Sequence, residues 1–339
     1  MTQLLAPEPS QPVSDRTDAP TISVVIPAYQ AAAFIADAVD SVLAQTYPAH
    51  ELVVCDDGST DDLAGVLARY DGRLTVVRQE NRGLSAARNR AVAETTGELV
   101  AVLDADDVFL PEYLERMAAA ATERPDLDII ACNAYLEIDG RVTGTYYPDI
   151  ARFVVGDQRR GALHNHFIFG LATFRRERLL AVGGWDESMR LIEDTDCFIR
   201  LILDGARAGL VEEPLARYRL REGSLSSNRG ATMAAQVTML EKFLDHPALD
   251  DGERDFLRHE LRIKRAEARV AVAEAALDRG APNRRSAALA LALGELPPGL
   301  GLGLRIRALA AAAAPSLARA WLSRRPGGRS ALRRETLGR

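Results

Sequence analysis

An α/β chain with a mostly parallel central sheet and flanking helices is predicted by three observations. First, short β-branched runs alternate with helically spaced apolar stretches between Ile22 and Pro111. One such unit every ~20–30 residues is the rhythm of parallel strands joined by helical crossovers. Second, the strands run into polar turns, Pro27-Ala28-Tyr29-Gln30, Asp56-Asp57-Gly58-Ser59 and Asp104-Ala105-Asp106-Asp107. Open α/β sheets bind ligands beyond the carboxyl ends of their strands. Third, the pattern becomes wholly helical from Ala231 onward, which sets a C-terminal appendage apart from the sheet.

The elements follow in order. Residues 22–26, closed by Pro27, read as a buried strand. Residues 31–45 place Ile35, Val39, Val42 and Leu43 on one helical stripe. A strand is expected over 51–55, a helix over 61–70 and a third strand over 74–77. Residues 85–95 read as a helix capped by Ser85, and residues 98–103 as a fourth strand. Pro111 opens another helix at its first turn, where a missing N–H does no harm. Beyond it come strands at 128–135, 166–174 and 211–218, with helices at 177–182 and 194–203. Residues 146–157 read as a loop or short ribbon. Helices at about 231–246 and 252–279 precede a Gly/Pro-rich break at 294–303 and a last helix at roughly 305–324. The expected organisation is a leader over 1–20, a catalytic domain over 21–228 with its halves meeting at 107, and a helical region over 229–339.

Composition narrows the function classes. The 339 residues are 47% apolar, enough for a substantial core, and the net charge is −6. An acidic chain is not a default nucleic-acid binder. Charge is unevenly spread: residues 251–339 carry 18 basic and 9 acidic side chains. That basic, Ala/Leu-rich tail reads either as a surface for anionic lipid or as helices packed on the catalytic domain or on a second copy. Cys55, Cys132 and Cys197 are scattered and odd in number, which fits a reducing compartment. The Pro/Ser/Asp-rich start lacks the form of a secretory signal, and no apolar run reaches membrane-spanning length, so a cytoplasmic protein is expected.

Each motif has a bland reading beside a chemical one. Asp104 and Asp106, at i and i+2 after a strand, can aim two carboxylates into one pocket, suited to a hard cation that also takes phosphate oxygens. The same residues make an ordinary turn before the Pro111 helix. Asp56–Asp61 is likewise standard turn chemistry. Glu193, Asp194 and Asp196 cluster where a helix begins, favoured there by the macrodipole, and one of them could be a general base. His164 and His166 alternate along an expected strand, the spacing of two metal ligands without an evident third. Trp185, after Gly183-Gly184, suits either an acceptor pocket or the core.

The joint order of these pieces is more specific. Val25-Ile26-Pro27-Ala28-Tyr29-Gln30, Ser41-Val42-Leu43-Ala44-Gln45-Thr46-Tyr47 and Glu51 through Asp61 stand in sequence. Asn81-Arg82-Gly83-Leu84-Ser85-Ala86-Ala87-Arg88-Asn89 and Leu103-Asp104-Ala105-Asp106-Asp107 follow. Gly183-Gly184-Trp185-Asp186-Glu187 and Glu193-Asp194-Thr195-Asp196 complete the set. Together, across about residues 20–225, they closely resemble family 2 glycosyltransferases. The resemblance implies the GT-A fold, a nucleotide-diphosphate-sugar donor of UDP or dTDP type, a divalent cation (Mg²⁺ or Mn²⁺) and inversion at the anomeric carbon. It implies that Pro27, Ala28 and Tyr29 line the base pocket and that Asp57 hydrogen-bonds the pyrimidine. Asn81 and Arg88 would lie near the donor, Asp104 would contact ribose or sugar, and Asp106 would ligate the metal. Asp194 would be the catalytic base, with Glu193 and Trp185 on the acceptor side. Acceptors in this class are polysaccharide, lipid or small-molecule hydroxyls, reached in the cytoplasm or at the inner membrane face.

One position departs from the pattern. Many relatives carry histidine in a Tyr-Arg-x-His-x-Gly-Ser run, whereas Tyr218-Arg219-Leu220-Arg221-Glu222-Gly223-Ser224 has Arg221 there. Arginine cannot ligate a cation, but it can pair with diphosphate; a plain surface role is the alternative. Two other functions fit the sequence less well. A nucleotidyltransferase making nucleotide-sugars would open with a Gly-rich basic loop, which Pro27-Ala28-Tyr29-Gln30 is not. A non-catalytic nucleotide-sugar-binding module would fit loss of Asp106 or Asp194, and both are present.

Overall fold

The computed structural model describes residues 19–149, 152–221 and 229–278. The expected leader, the Gly/Pro break and the helix at 305–324 lie outside the described residues. By internal contact the chain forms two compact units. The first draws on Met1–Val155, Ile168–Glu187 and Gly205–Leu220, the second on Gly156–Phe167, Ser188–Asp204 and Arg221–Arg339. Segments on the amino side of residue 228 thus contribute to both.

The first unit is one nine-stranded sheet with helices. Its strands are β1 (Ile22–Ala28), β2 (Glu51–Asp56), β3 (Thr75–Arg78), β4 (Leu99–Val102), β5 (Val108–Phe109), β6 (Ile129–Ile138), β7 (Arg141–Thr145), β8 (Thr173–Arg175) and β9 (Ala208–Arg219). The order is β3-β2-β1-β4-β8-β6-β9-β5, with β7 beside β6. Strands β3, β2, β1 and β4 are mutually parallel. All seven residues of β1 are buried, as a strand covered on both faces requires. Its helices are α1 (Ile35–Leu43), α2 (Leu63–Leu67, continued by one 3₁₀ turn), α3 (Leu84–Ala93), α4 (Tyr113–Glu123) and, after α5 (Gln158–His164) of the second unit, α6 (Arg176–Ala181). Helix α1 buries Ile35, Ala38, Val39 and Val42, close to the stripe read from sequence.

Beyond β4 the sheet is mixed rather than uniformly parallel. Strand β8 runs antiparallel to both β4 and β6, and β5 antiparallel to β9, while β6 and β9 are parallel. The strand expected over 166–174 shrinks to β8. Its apolar and aromatic residues are buried, but Phe169 gives its N–H to the Tyr147 hydroxyl at 2.8 Å instead of to a neighbouring strand. Ser85 does not cap α3. Gly83 holds that position with φ 95°, and Ser85 is buried in the first turn.

The second unit is helical: α5 (Gln158–His164), α7 (Glu193–Leu203), α8 (Arg229–Lys242) and α9 (Asp251–Asp278). Helix α5 packs on α7 and α9, and α8 on α9. Leu163, Phe198, Ile202, Met239, Leu257 and Leu261 are buried there. Arg159 on α5 fixes the start of α9 through both oxygens of Glu253, at 2.6 and 2.9 Å. His164 ends α5 and meets Glu260 at 2.8 Å, whereas His166 lies beyond the helix and meets Thr195 at 2.6 Å. The two histidines therefore share no strand face. Among the described residues no helix is long and apolar enough to cross a membrane.

Candidate active site

In the first unit, the parallel strands bring their carboxyl ends to one edge. The Asp57 N–H donates to the Ala28 carbonyl at 2.9 Å and the Leu103 N–H to Val25 at 3.0 Å, so the loops after β1, β2 and β4 start side by side. Gln30, held at φ 51°, stitches the first two loops together. Its side-chain oxygen accepts from the N–H groups of Thr60 and Asp61 at 2.9 and 3.0 Å, and its amide donates to the Thr60 hydroxyl at 3.0 Å. Ala32 adds an N–H to Asp61 at 2.8 Å. Nothing in the local sequence pattern announced this role for Gln30. Pro27 and Ala28 are buried in β1, while Tyr29 is 53% exposed, so Tyr29 alone of the three offers a ligand a broad face.

Asp57 is buried and already well used. Oδ1 accepts from the Gln79 amide at 2.7 Å and the Arg82 N–H at 2.9 Å, and Oδ2 accepts from the Gly83 N–H at 2.8 Å. A carboxylate has about four lone-pair sites, so Oδ2 retains capacity for one ligand donor. Gly58 turns beneath it at φ 77°, and a Cβ there would stand 2.8 Å from the Asn81 nitrogen. Only glycine lets these two loops approach so closely.

Helix α3 carries Arg88 under the tip of β4. Its guanidinium, 4% exposed, donates to Asp104 Oδ1 at 2.8 Å and lies 5.6 Å from the Trp185 ring centroid. Trp185 is itself buried, edge-on to Phe174, and its backbone N–H and carbonyl are both bound by the Asn89 amide at 2.9 and 2.8 Å. The tryptophan thus offers an acceptor almost no surface. It backs the Arg88–Asp104 pair. Asp106 is half-buried at the same strand tip. Asp107 is fully buried, with Oδ1 accepting the Arg219 N–H at 2.8 Å and Oδ2 lacking a hydrogen-bond partner. Burial, and then the charges of Asp104 and Asp106, push its pKa well above the usual carboxylate range.

In the second unit, α7 begins behind Ile192, a β-branched residue held at φ 56°. Such residues rarely adopt left-handed backbone. Of the carboxylates that follow, Asp196 is fully buried between Arg200 and Lys242, each at 2.8 Å. Glu193 is also buried. Asp194 is 25% exposed and stands 3.8 Å from the His166 ring. Arg221, also in this unit, is half-buried.

Residues 23–182 match the model of the family described as Glycosyl transferase family 2. The succinoglycan biosynthesis protein ExoU of Rhizobium meliloti (strain 1021) is 38% identical over 266 residues, covering 73% of this chain and 76% of that protein. The chain belongs to glycosyltransferase family 2. The putative teichuronic acid biosynthesis glycosyltransferase TuaG of Bacillus subtilis (strain 168) is 32% identical over 214 residues, 62% of this chain and 83% of its own. Among solved structures, S. aureus TarS 1-349 in complex with UDP-GlcNAc superposes with a TM-score of 0.58 at 18% identity, over 89% of this chain and 92% of that one. The mannosyltransferase PcManGT from Pyrobaculum calidifontis, in complex with GDP-Man and Mn²⁺, gives 0.58 at 23%, over 97% and 90%. Both likenesses establish the GT-A fold.

For this glycosyltransferase the donor set at the β4 tip suits a hard cation. Divalent cations bound with nucleotide phosphates rest on one or two carboxylates, and phosphate and water complete the shell. Asp106 beside Asp104 supplies that many. Among the described residues no group of three His, Cys, Asp or Glu side chains is arranged to hold a metal unaided.

Proposed function

We propose that this glycosyltransferase takes a sugar from a nucleotide-diphosphate donor of UDP or dTDP type. The sugar passes, with inversion, to a hydroxyl of a cytoplasmic polysaccharide, lipid or small-molecule acceptor. One observation carries the donor reading: a buried, triply hydrogen-bonded Asp57 with a lone pair left on Oδ2, beside the exposed face of Tyr29. That pair suits a flat ring with an N–H, stacked and hydrogen-bonded at once. Relatives named for succinoglycan and teichuronic acid biosynthesis support a glycan acceptor. Neighbours crystallised with UDP-GlcNAc and with GDP-Man support a nucleotide-sugar donor.

In this reading Asn81 flanks the diphosphate, and Arg88 holds Asp104 toward the ribose or sugar. Arg221 offers a fixed positive charge to the phosphates in place of a metal-binding histidine. Asp106 would hold Mg²⁺ or Mn²⁺, which supplies charge neutralisation to the departing diphosphate. Asp194 removes the acceptor's hydroxyl proton as that oxygen attacks the anomeric carbon from the face opposite the leaving group, which inverts the centre. Asp194 is favoured over its neighbours because Asp196 is spent on two cations and Glu193 is buried. The test is a panel of UDP-, dTDP- and GDP-sugars scored for slow hydrolysis with Mn²⁺ or Mg²⁺. Turnover of a UDP- or dTDP-sugar is expected; turnover confined to GDP-sugars would refute the pyrimidine assignment.

A further inference from the structure

We infer that His166 and Thr195 form a hydrogen-bonded chain that positions Asp194, resting on the reading of Asp194 as the base. All three residues belong to the second unit. His166 Nδ1 lies 2.6 Å from Thr195 Oγ1, and that hydroxyl lies 3.3 Å from Asp194 Oδ1. The Thr195 N–H reaches the same Oδ1 at 2.7 Å. The hydroxyl owns a single proton, and an ionised carboxylate can only accept. Both of its contacts are satisfied together in one way: the hydroxyl donates to Asp194, and His166 donates to the hydroxyl. His166 therefore carries a proton on Nδ1, and in its neutral form it is the Nδ1–H tautomer.

That choice of tautomer has a chemical consequence. The other ring nitrogen, Nε2, faces Asp194 Oδ2 at 3.8 Å, beyond hydrogen-bond range, and in this tautomer it carries a lone pair rather than a proton. Oδ1 is pinned by two donors while Oδ2 keeps its basic lone pairs for the acceptor hydroxyl. A carboxylate with one oxygen tethered and one available is held in a single orientation. Orientation of this kind separates productive from unproductive encounters, and its loss lowers turnover more than binding. The residue just before α7, Ile192, sits at φ 56°, a strained backbone position two residues ahead of Asp194. His166 and Thr195 are thus positioning residues, 29 apart in sequence.

Two readouts test the chain, one of them free of activity. In long-range ¹H–¹⁵N spectra of the whole protein, His166, assigned by its loss in His166→Asn, is expected in the Nδ1–H form. Thr195→Val should shift that signal. An Nε2–H tautomer in the unaltered protein would overturn the inference. Kinetically, hydrolysis of UDP-GlcNAc and UDP-glucose with Mn²⁺ is followed for His166→Leu and Thr195→Val. A fall in kcat of at least about tenfold is expected with donor KM within about twofold. His166→Asn, whose amide nitrogen stands near the Nδ1 position, should restore most of the rate, and Thr195→Ser should retain it. Unchanged kcat in both His166→Leu and Thr195→Val would also overturn the inference. Asp194→Asn run in parallel separates the two claims: full activity there rejects the base, while the tautomer still reports on the chain.

Discussion

Replacing Asp57 by alanine removes the acceptor for three donors, and the structure sets the size of the loss. The Gln79 amide is half-exposed and can turn to water, so its cost is small. The Arg82 and Gly83 N–H groups are held at 2.9 and 2.8 Å at the start of α3 and cannot turn away. A donor left without a partner costs about 1–3 kcal/mol where it is buried, and the half-buried Gly83 and exposed Arg82 fall toward the lower part of that range. A destabilisation of about 2–4 kcal/mol follows, or roughly 4–16 °C in Tm for a domain of this size. Because the same carboxylate is proposed to meet the base, UDP affinity should fall as well. The assay is scanning fluorimetry for Tm, with calorimetric titration of UDP below the transition. An unchanged Tm would show that the three hydrogen bonds do not hold the loops. A lowered Tm with wild-type UDP affinity would remove Asp57 from the donor site while leaving its structural role intact.

Further outcomes are expected elsewhere. Asp106→Ala should abolish Mn²⁺-dependent donor binding, and an unaltered Mn²⁺ response in the donor titration would move the metal off this residue. Gly58→Ala should lower Tm by clearly more than Gly72→Ala. Both glycines have positive φ, 77° and 74°, but only the first would bring a Cβ against backbone; equal shifts would refute the close-approach argument. Asp107 gives a pH signature. Its folded pKa lies above the unfolded value of about 3.9, so the native state holds the proton more tightly, and stability falls as pH rises through that interval. Asp107→Asn should remove that slope, so its Tm advantage over wild type should grow from pH 4 to pH 8 in chelator buffer. A pH-independent difference would show that Asp107 ionises freely.

How much of this was visible beforehand depends on the range of the interaction. Strands β1 and β2 declared themselves through β-branched runs, and the turns after them through Asp, Gly and Ser, because both signals are local. Strand β8 did not. Three residues carry too little periodicity, and its neighbours in sequence are buried without joining the ladder. The chemical residues were chosen largely by motif, but their surroundings were hidden. Trp185 suits an acceptor pocket or the core equally in sequence, because Gly183-Gly184-Trp185 says nothing of Asn89, 96 positions away, which clamps its backbone. For His166 the sequence offers only alternation with His164 on an expected strand, the spacing of two metal ligands without an evident third. Its tie to Thr195 exists only once α7 is placed.

The antiparallel insertion of β8 bears on how the chain is made. Strand β4 has β1 on one side, but on the other it waits for Thr173–Arg175, which leave the ribosome well after Val102. At ~5–20 residues per second the nascent protein spends seconds with an apolar, unpaired strand flank facing solvent. Such a flank is a template for pairing with another chain. Yield in cells should therefore respond to translation speed and holdase supply between codons 102 and 175, even where the finished enzyme's stability is unaltered.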